Sequence, residues 1–150
     1  EDGLSFVDNC LTGYGLRKDI KIIASGKVLT GFHIFKRLAL GADLVNSARA
    51  MMLALGCIQA LRCNTNHCPT GVATTLPRYY KGLDVKNKSV RVYQFHDKTM
   101  HAFKELLEVA GLEKPSQINR SSVYLRGKNS EVLTLQSKYP RVAEGEYLNA

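Results

Sequence analysis

Three of the four cysteines, Cys57, Cys63 and Cys68, fall within twelve residues, with five and then four residues between them, and Pro69 follows the last. Cysteine thiolates hold the irons of iron–sulfur clusters, and a proline beside a ligand stiffens the loop that carries it. Three such ligands suit a three-iron cluster or an incomplete four-iron one. Zinc asks for a fourth ligand, and the only neighbour, His67, adjoins Cys68 and is poorly placed to share one ion with it. Free thiols are the plainer alternative, with Cys57 packed in the core and Cys63 and Cys68 open to an adventitious disulfide. Cys10 stands far from this group, so the set does not read as a secreted disulfide framework; it fits a reducing cytoplasm better.

A second candidate lies upstream, in two turns. Ala24-Ser25-Gly26-Lys27 follows an apolar run, and Asn46-Ser47-Ala48-Arg49 follows another. In parallel α/β folds ligands sit at the carboxyl ends of strands, and free backbone amides there can cradle a phosphate. Two neighbouring strand ends, each with amides and a cation, would form a phosphate grip of the type built by the last two strands of many barrels. The simpler reading is that Gly26 only turns the chain while Lys27 and Arg49 are solvated.

The elements that must position these groups are legible between Asp19 and Cys57. Ile20-Lys21-Ile22-Ile23-Ala24 predicts a buried strand of a parallel sheet. Thr30 is a predicted N-cap for a helix carrying Phe32, Ile34, Phe35, Leu38 and Ala39, which Gly41 stops. Ala42 to Asn46 predicts a second strand, and Arg49 to Leu55 a well-buried helix. The order is βαβα, and such a crossover is right-handed. Leu4 to Leu16 reads as a weakly amphipathic helix broken by Gly13 and Gly15. Thr70 to Lys88 reads as loop. A long helix is predicted from Ser89 or Val90, with Phe95, Thr99, Phe103 and Leu107 inward, ending at Gly111. A short helix near Pro115 and a strand at Val132–Leu135 complete the expectations.

Composition bounds the function. The chain has 150 residues, 45% of them hydrophobic, which is the make-up of a globular protein. No apolar run reaches the roughly 20 residues of a membrane span. The net charge of +8 raises the question of nucleic acid, yet the densest basic stretch, Arg78, Lys81, Lys86, Lys88 and Arg91, lacks interleaved aromatic residues and reads as a solvated surface. The opening Glu1-Asp2-Gly3-Leu4 has no initiator Met and no signal pattern, which reads as a piece of something longer. His33 reads as a core or boundary residue, and Asp19 and Asp43 lack a carboxylate partner. Neither a nucleophile elbow, a Walker loop nor a dinucleotide fingerprint occurs.

These same residues resemble a known family. Ile22-Ile23-Ala24-Ser25-Gly26-Lys27, Gly41-Ala42-Asp43, Arg49-Ala50, Leu55-Gly56-Cys57 and the run from Cys63 to Thr74 are similar to the FMN-binding domain of glutamate synthase and its stand-alone relatives. The resemblance is dense from Asp19 to Thr75 and looser through Val90-Arg91-Val92-Tyr93 and Phe95-His96. It implies the last two βα units of a (β/α)8 barrel over residues 1–76, with a mainly helical extension over 77–150. It implies FMN phosphate held by Ser25, Gly26, Lys27, Ser47, Ala48 and Arg49, and a three-iron, four-sulfur cluster on Cys57, Cys63 and Cys68; Cys10 matches no ligand position.

The activity the resemblance implies is glutamate formation in the cytoplasm by reductive amination of 2-oxoglutarate, with glutamine or ammonia as nitrogen source and an electron-donor protein or subunit. Neither nucleic acid nor membrane is an expected partner. The flavin-ring and 2-oxoglutarate sites belong to strands not present, so no catalytic acid or base is assigned and the chain alone is expected to be inactive. Two other readings stay open: a non-catalytic basic module for a metal or an anion, and an FMN-dependent barrel oxidoreductase without a cluster.

Overall fold

The computed structural model describes residues 1–148, a mixed helix and sheet structure. Helix α1 (Asp2–Gly13) leads into strand β1 (Ile23–Ala24), helix α2 (Gly31–Ala39), strand β2 (Leu44–Val45) and helix α3 (Arg49–Leu55). The cysteine loop follows, with a single 3₁₀ turn at Cys63–Thr65, then a short helix α4 (Pro77–Tyr80) and the long helix α5 (Val85–Val109). A hairpin of β3 (Tyr124–Arg126) and β4 (Val132–Thr134) and a one-turn helix α6 (Leu135–Lys138) come last, with further 3₁₀ turns between.

β1 and β2 pair in parallel, Ile23 beside Leu44 and Ala24 beside Val45. The ladder extends through the Asn46 amide, which donates to the Ala24 carbonyl at 2.8 Å. α2 forms as predicted: the Thr30 hydroxyl accepts from the His33 amide at 3.3 Å, and the helix closes at Leu40. The other end of the same cap involves the His33 ring, whose Nδ1 lies 3.2 Å from both the Leu29 amide and the Thr30 hydroxyl, placing it at the boundary rather than in the core.

The core gathers α2, α5 and the final segment: Phe35, Ala39, Leu40, Phe103, Leu107, Ile118, Val123 and Leu135. The Phe35 and Phe103 rings meet with centroids 6.4 Å apart. α2 can approach α5 this closely because residue 31 is glycine, where a Cβ would stand 2.7 Å from the Phe103 amide nitrogen.

Three expectations are corrected. Both predicted strands are shorter, two residues each; Ile23, on the strand expected to be buried, is 56% exposed, and Leu44 beside it is 59% exposed. They are register neighbours on one face, and that face carries no covering layer among the described residues. α3 is only half-buried beyond Ala50, since α5 shields it from one side. α5 starts earlier than predicted, at Val85, because Asp84 caps it by accepting from the Asn87 amide at 3.2 Å. β4 falls where a strand was expected; its partner β3, and α4, were not foreseen.

Candidate functional site

Parallel pairing brings the two turns to the same end of the sheet, since each leaves the carboxyl end of its strand. They are also tied directly: the Ser47 hydroxyl donates to the Val28 carbonyl at 2.8 Å. Ser25, Gly26, Lys27, Ala48 and Arg49 are exposed, and Ser47 is half-buried. Gly26 sits at φ +94, a region a side chain resists, and the space a Cβ would occupy is empty to 4 Å. Arg37 fastens this turn by donating to the Gly26 carbonyl at 3.2 Å. α3 opens at Ala48 without a side-chain cap, so its first amides are left to other acceptors.

From the end of α3 the chain enters the cysteine loop. Asn66 organises it: its carbonyl accepts from the Thr74 hydroxyl at 2.6 Å, and its side chain bonds the Thr75 amide at 2.7 Å and the Thr75 hydroxyl at 2.9 Å. His67 Nδ1 stands 2.7 Å from the Thr65 carbonyl, which can only accept, so the proton of the neutral ring is on Nδ1. The His67 ring also meets Tyr79 of α4 edge-on at 6.2 Å. This contact folds α4 back onto the loop.

The three clustered cysteines differ in environment. Cys68 is buried, Cys57 half-buried and Cys63 exposed, and all are free thiols. The Thr70 hydroxyl lies 3.4 Å from the Cys68 sulfur. That contact, with the amides of Ala73, Thr70 and Val72, outweighs burial and holds the Cys68 thiol at about 7, well below the usual thiol value. At that value about half of the Cys68 sulfur is thiolate near neutral pH. The Gln59 amide points at the Cys57 sulfur from 3.4 Å. Among the described residues no three His, Cys, Asp or Glu side chains converge on one metal-sized point. The structure thus brings the two phosphate-type turns together but leaves the three sulfurs ungathered.

Thr70, Val72 and Ala73 are functional candidates that residue spacing did not single out. Their sequence signal is their position just past Cys68-Pro69, inside the run from Cys63 to Thr74 that carries the resemblance.

A parallel strand–helix repeat whose strand tips share one edge and lead into a thiol-bearing loop places the chain in the α/β class. The sequence description "Conserved region in glutamate synthase" matches residues 1–113. The chain is 42% identical over 134 residues to the "Glutamate synthase large subunit-like protein YerD" of Bacillus subtilis, covering 89% of this chain and 26% of that protein. It is 38% identical over 142 residues to the "Archaeal glutamate synthase [NADPH]" of Methanocaldococcus jannaschii, covering 91% of this chain and 28% of that one. A shorter match, 39% over 74 residues, is to the "Ferredoxin-dependent glutamate synthase 2, chloroplastic" of Arabidopsis thaliana, 49% of this chain and 4% of the relative. The chain belongs to the glutamate synthase family. It spans about a quarter of the length of the first two of these relatives.

Proposed function

We propose that this chain supplies the phosphate-binding and cluster-binding corner of a glutamate synthase: residues 1–76 as the last two βα units of an FMN-binding (β/α)8 barrel, residues 77–150 as a helical extension packed on it. The carrying observation is the pair of strand-tip turns, joined by Ser47 and Val28, with the three-cysteine loop following one helix, α3, after the second turn. Further support comes from the bare apolar pair Ile23 and Leu44, because parallel sheets are ordinarily covered on both faces. One groove, lined by Leu4, Val7 and Ile22, lies between α1 and β1; a second, lined by Ile34, Val45 and Met100, lies among α2, β2 and α5.

The residues present fit both groups in chemical kind. For the FMN phosphate, Gly26 leaves open space for close approach, Lys27 and Arg49 are exposed cations, and the first amides of α3 are uncapped. Ser25 and Ser47 border the same edge. For a three-iron, four-sulfur cluster, Cys57, Cys63 and Cys68 are free thiols, and the Thr70 hydroxyl with nearby amides already favours thiolate at Cys68. Drawing the sulfurs together is assigned to metal binding itself, as in other sites where ligation and folding are coupled.

When bound, flavin and cluster supply hydride and single-electron transfer for reducing the imine of 2-oxoglutarate to glutamate. The part of this chain is positional. Lys27 and Arg49 offset phosphate charge, the Ser25–Lys27 amides orient it, and Asn66 with Thr74 and Thr75 keeps the cysteine loop closed. No membrane-spanning helix exists among the described residues.

The test is a paired loading experiment on the full polypeptide. The K27Q/R49Q variant is expected to lose flavin absorbance while retaining iron; C57S, C63S and C68S each lose iron while retaining flavin. Unchanged flavin content in K27Q/R49Q would overturn the phosphate assignment. Iron content indifferent to all three serine variants would favour an FMN barrel without a cluster. A colourless protein holding stoichiometric zinc would favour a non-catalytic module.

A further inference from the structure

The opposite end of the sheet holds a second charged site that the proposed function does not use. Asp8, on α1, is 1% exposed and accepts from Arg17 Nε at 2.8 Å and from an Arg120 terminal nitrogen at 2.8 Å, with Arg141 Nε 3.9 Å away. Asp43, just ahead of β2, accepts from Arg17 at 2.8 Å and faces Lys21 at 3.8 Å. Four cations thus share two carboxylates, leaving a local excess of two positive charges.

A cavity of about 390 Å³ opens beside this cluster, its wall carrying Arg17, Arg120 and Arg141 against Asp8 and Asp43, with Ser116 and Gln136 beside them. That volume suits a small molecule. Arg17 spends its donors on Asp8, Asp43 and the Ile20 and Gly41 carbonyls. Arg120 gives its terminal donors to Asp8, Asn9, Tyr139 and Pro140, but its Nε is buried without a partner among the described residues. Arg141 is 54% exposed, and among the described residues its guanidinium has only the long contact to Asp8. Three arginines against two aspartates leave one positive charge in excess on the cavity wall, with the Arg141 guanidinium and the Ser116 and Gln136 side chains available to a ligand.

We propose that this cavity binds a small dianion of the phosphate or dicarboxylate type, with Arg141 as the principal contact. It lies beyond the amino ends of β1 and β2, so it is separate from the strand-tip turns at their carboxyl ends. The proposal does not depend on the flavin or cluster assignments.

The test uses inorganic phosphate and malonate as probes on the full polypeptide, measured by calorimetry and by thermal midpoint against sodium chloride at matched ionic strength. Binding of at least one probe is expected, weakened about tenfold or more by R141Q, as fits loss of a charged hydrogen bond. Q136E, which adds negative charge to the wall, is expected to weaken it too, and K27Q to leave it intact. Stabilisation matched by chloride, or absent for both probes, overturns the site. So does a signal that survives R141Q and Q136E, or one abolished by K27Q, which would move the anion to the strand-tip turns.

Discussion

Replacing Arg120 by methionine isolates the clamp that fastens the final segment to α1. Arg120 is 3% exposed, and its guanidinium reaches Asp8 at 2.8 Å, Asn9 at 2.9 Å, and the Tyr139 and Pro140 carbonyls at 2.7 and 3.0 Å. Methionine roughly preserves the apolar stem but removes all four bonds. Asp8 keeps Arg17 and the Pro140 carbonyl keeps the Asn9 amide group at 2.9 Å, yet Asn9 Oδ1 and the Tyr139 carbonyl lose their donor. Breaking a buried ion pair from one side costs about 3–5 kcal/mol, and lost neutral hydrogen bonds cost about 1 kcal/mol each, with overlap between the two tallies. A loss of about 4 kcal/mol follows, which at a urea slope of about 2 kcal/mol/M lowers the midpoint by about 2 M. Urea unfolding followed by circular dichroism measures it. The double variant D8N/R120M is expected to lose less than the sum of the single variants, because both remove one pair. A midpoint shift below about 0.5 M for R120M, or strict additivity in the double variant, would refute the clamp.

Three further outcomes are expected. In G71A the new Cβ would stand 2.6 Å from the Tyr79 carbonyl at a residue with φ +77, costing about 2–4 kcal/mol in a thermal melt and loosening α4 from the cysteine loop. The alkylation rate of Cys68 is expected to rise with pH through an inflection near 7, and T70V to move that inflection upward toward the ordinary thiol value; an unmoved inflection would show that the hydroxyl contributes nothing. For Asp43, burial pushes the carboxyl up, but the Ile22 amide and the Arg17 and Lys21 charges outweigh it and leave it below the usual value. Its contribution is therefore complete above the unfolded carboxyl value and lost as pH falls through the lower folded one. D43N is expected to remove that part of the acid-unfolding curve, worth under about 1 kcal/mol for a partly exposed group.

What could be read from the sequence was local. The Thr30 cap, the spacing from Phe32 to Ala39 and the two apolar runs each carry their signal within a few residues, and α2 and the parallel pair formed where expected. The cysteine spacing was equally plain, and the resemblance placed the family. The start of α5 was hidden because its first turn, Lys86 to Ser89, is polar, so the periodicity emerges only after the Asp84 cap has acted. β3 spans three residues and exists only through β4. The Asp8–Arg120 contact joins positions 112 apart, beyond any window of periodicity.

The remaining disagreements share a direction. Ile23 and most of α3 are expected inside, and the structure leaves them, with Leu44, exposed or half-exposed. Apolar residues are uncovered on one sheet face and along its neighbouring helix. Exposing a large aliphatic side chain forgoes about 1.5–3 kcal/mol of burial. A sequence that repeats this at register-paired positions is shaped for a covering layer. The proposed barrel supplies one: further strands would flank β1 and β2, and inward side chains from them would cover Ile23 and Leu44. The same closure would set the rim around Gly26 and Arg49. The exposed apolar face and the phosphate-type turns are thus two consequences of one architecture, and solvent-accessibility labelling of the full polypeptide is expected to find Ile23 and Leu44 protected while Lys27 remains reachable without flavin.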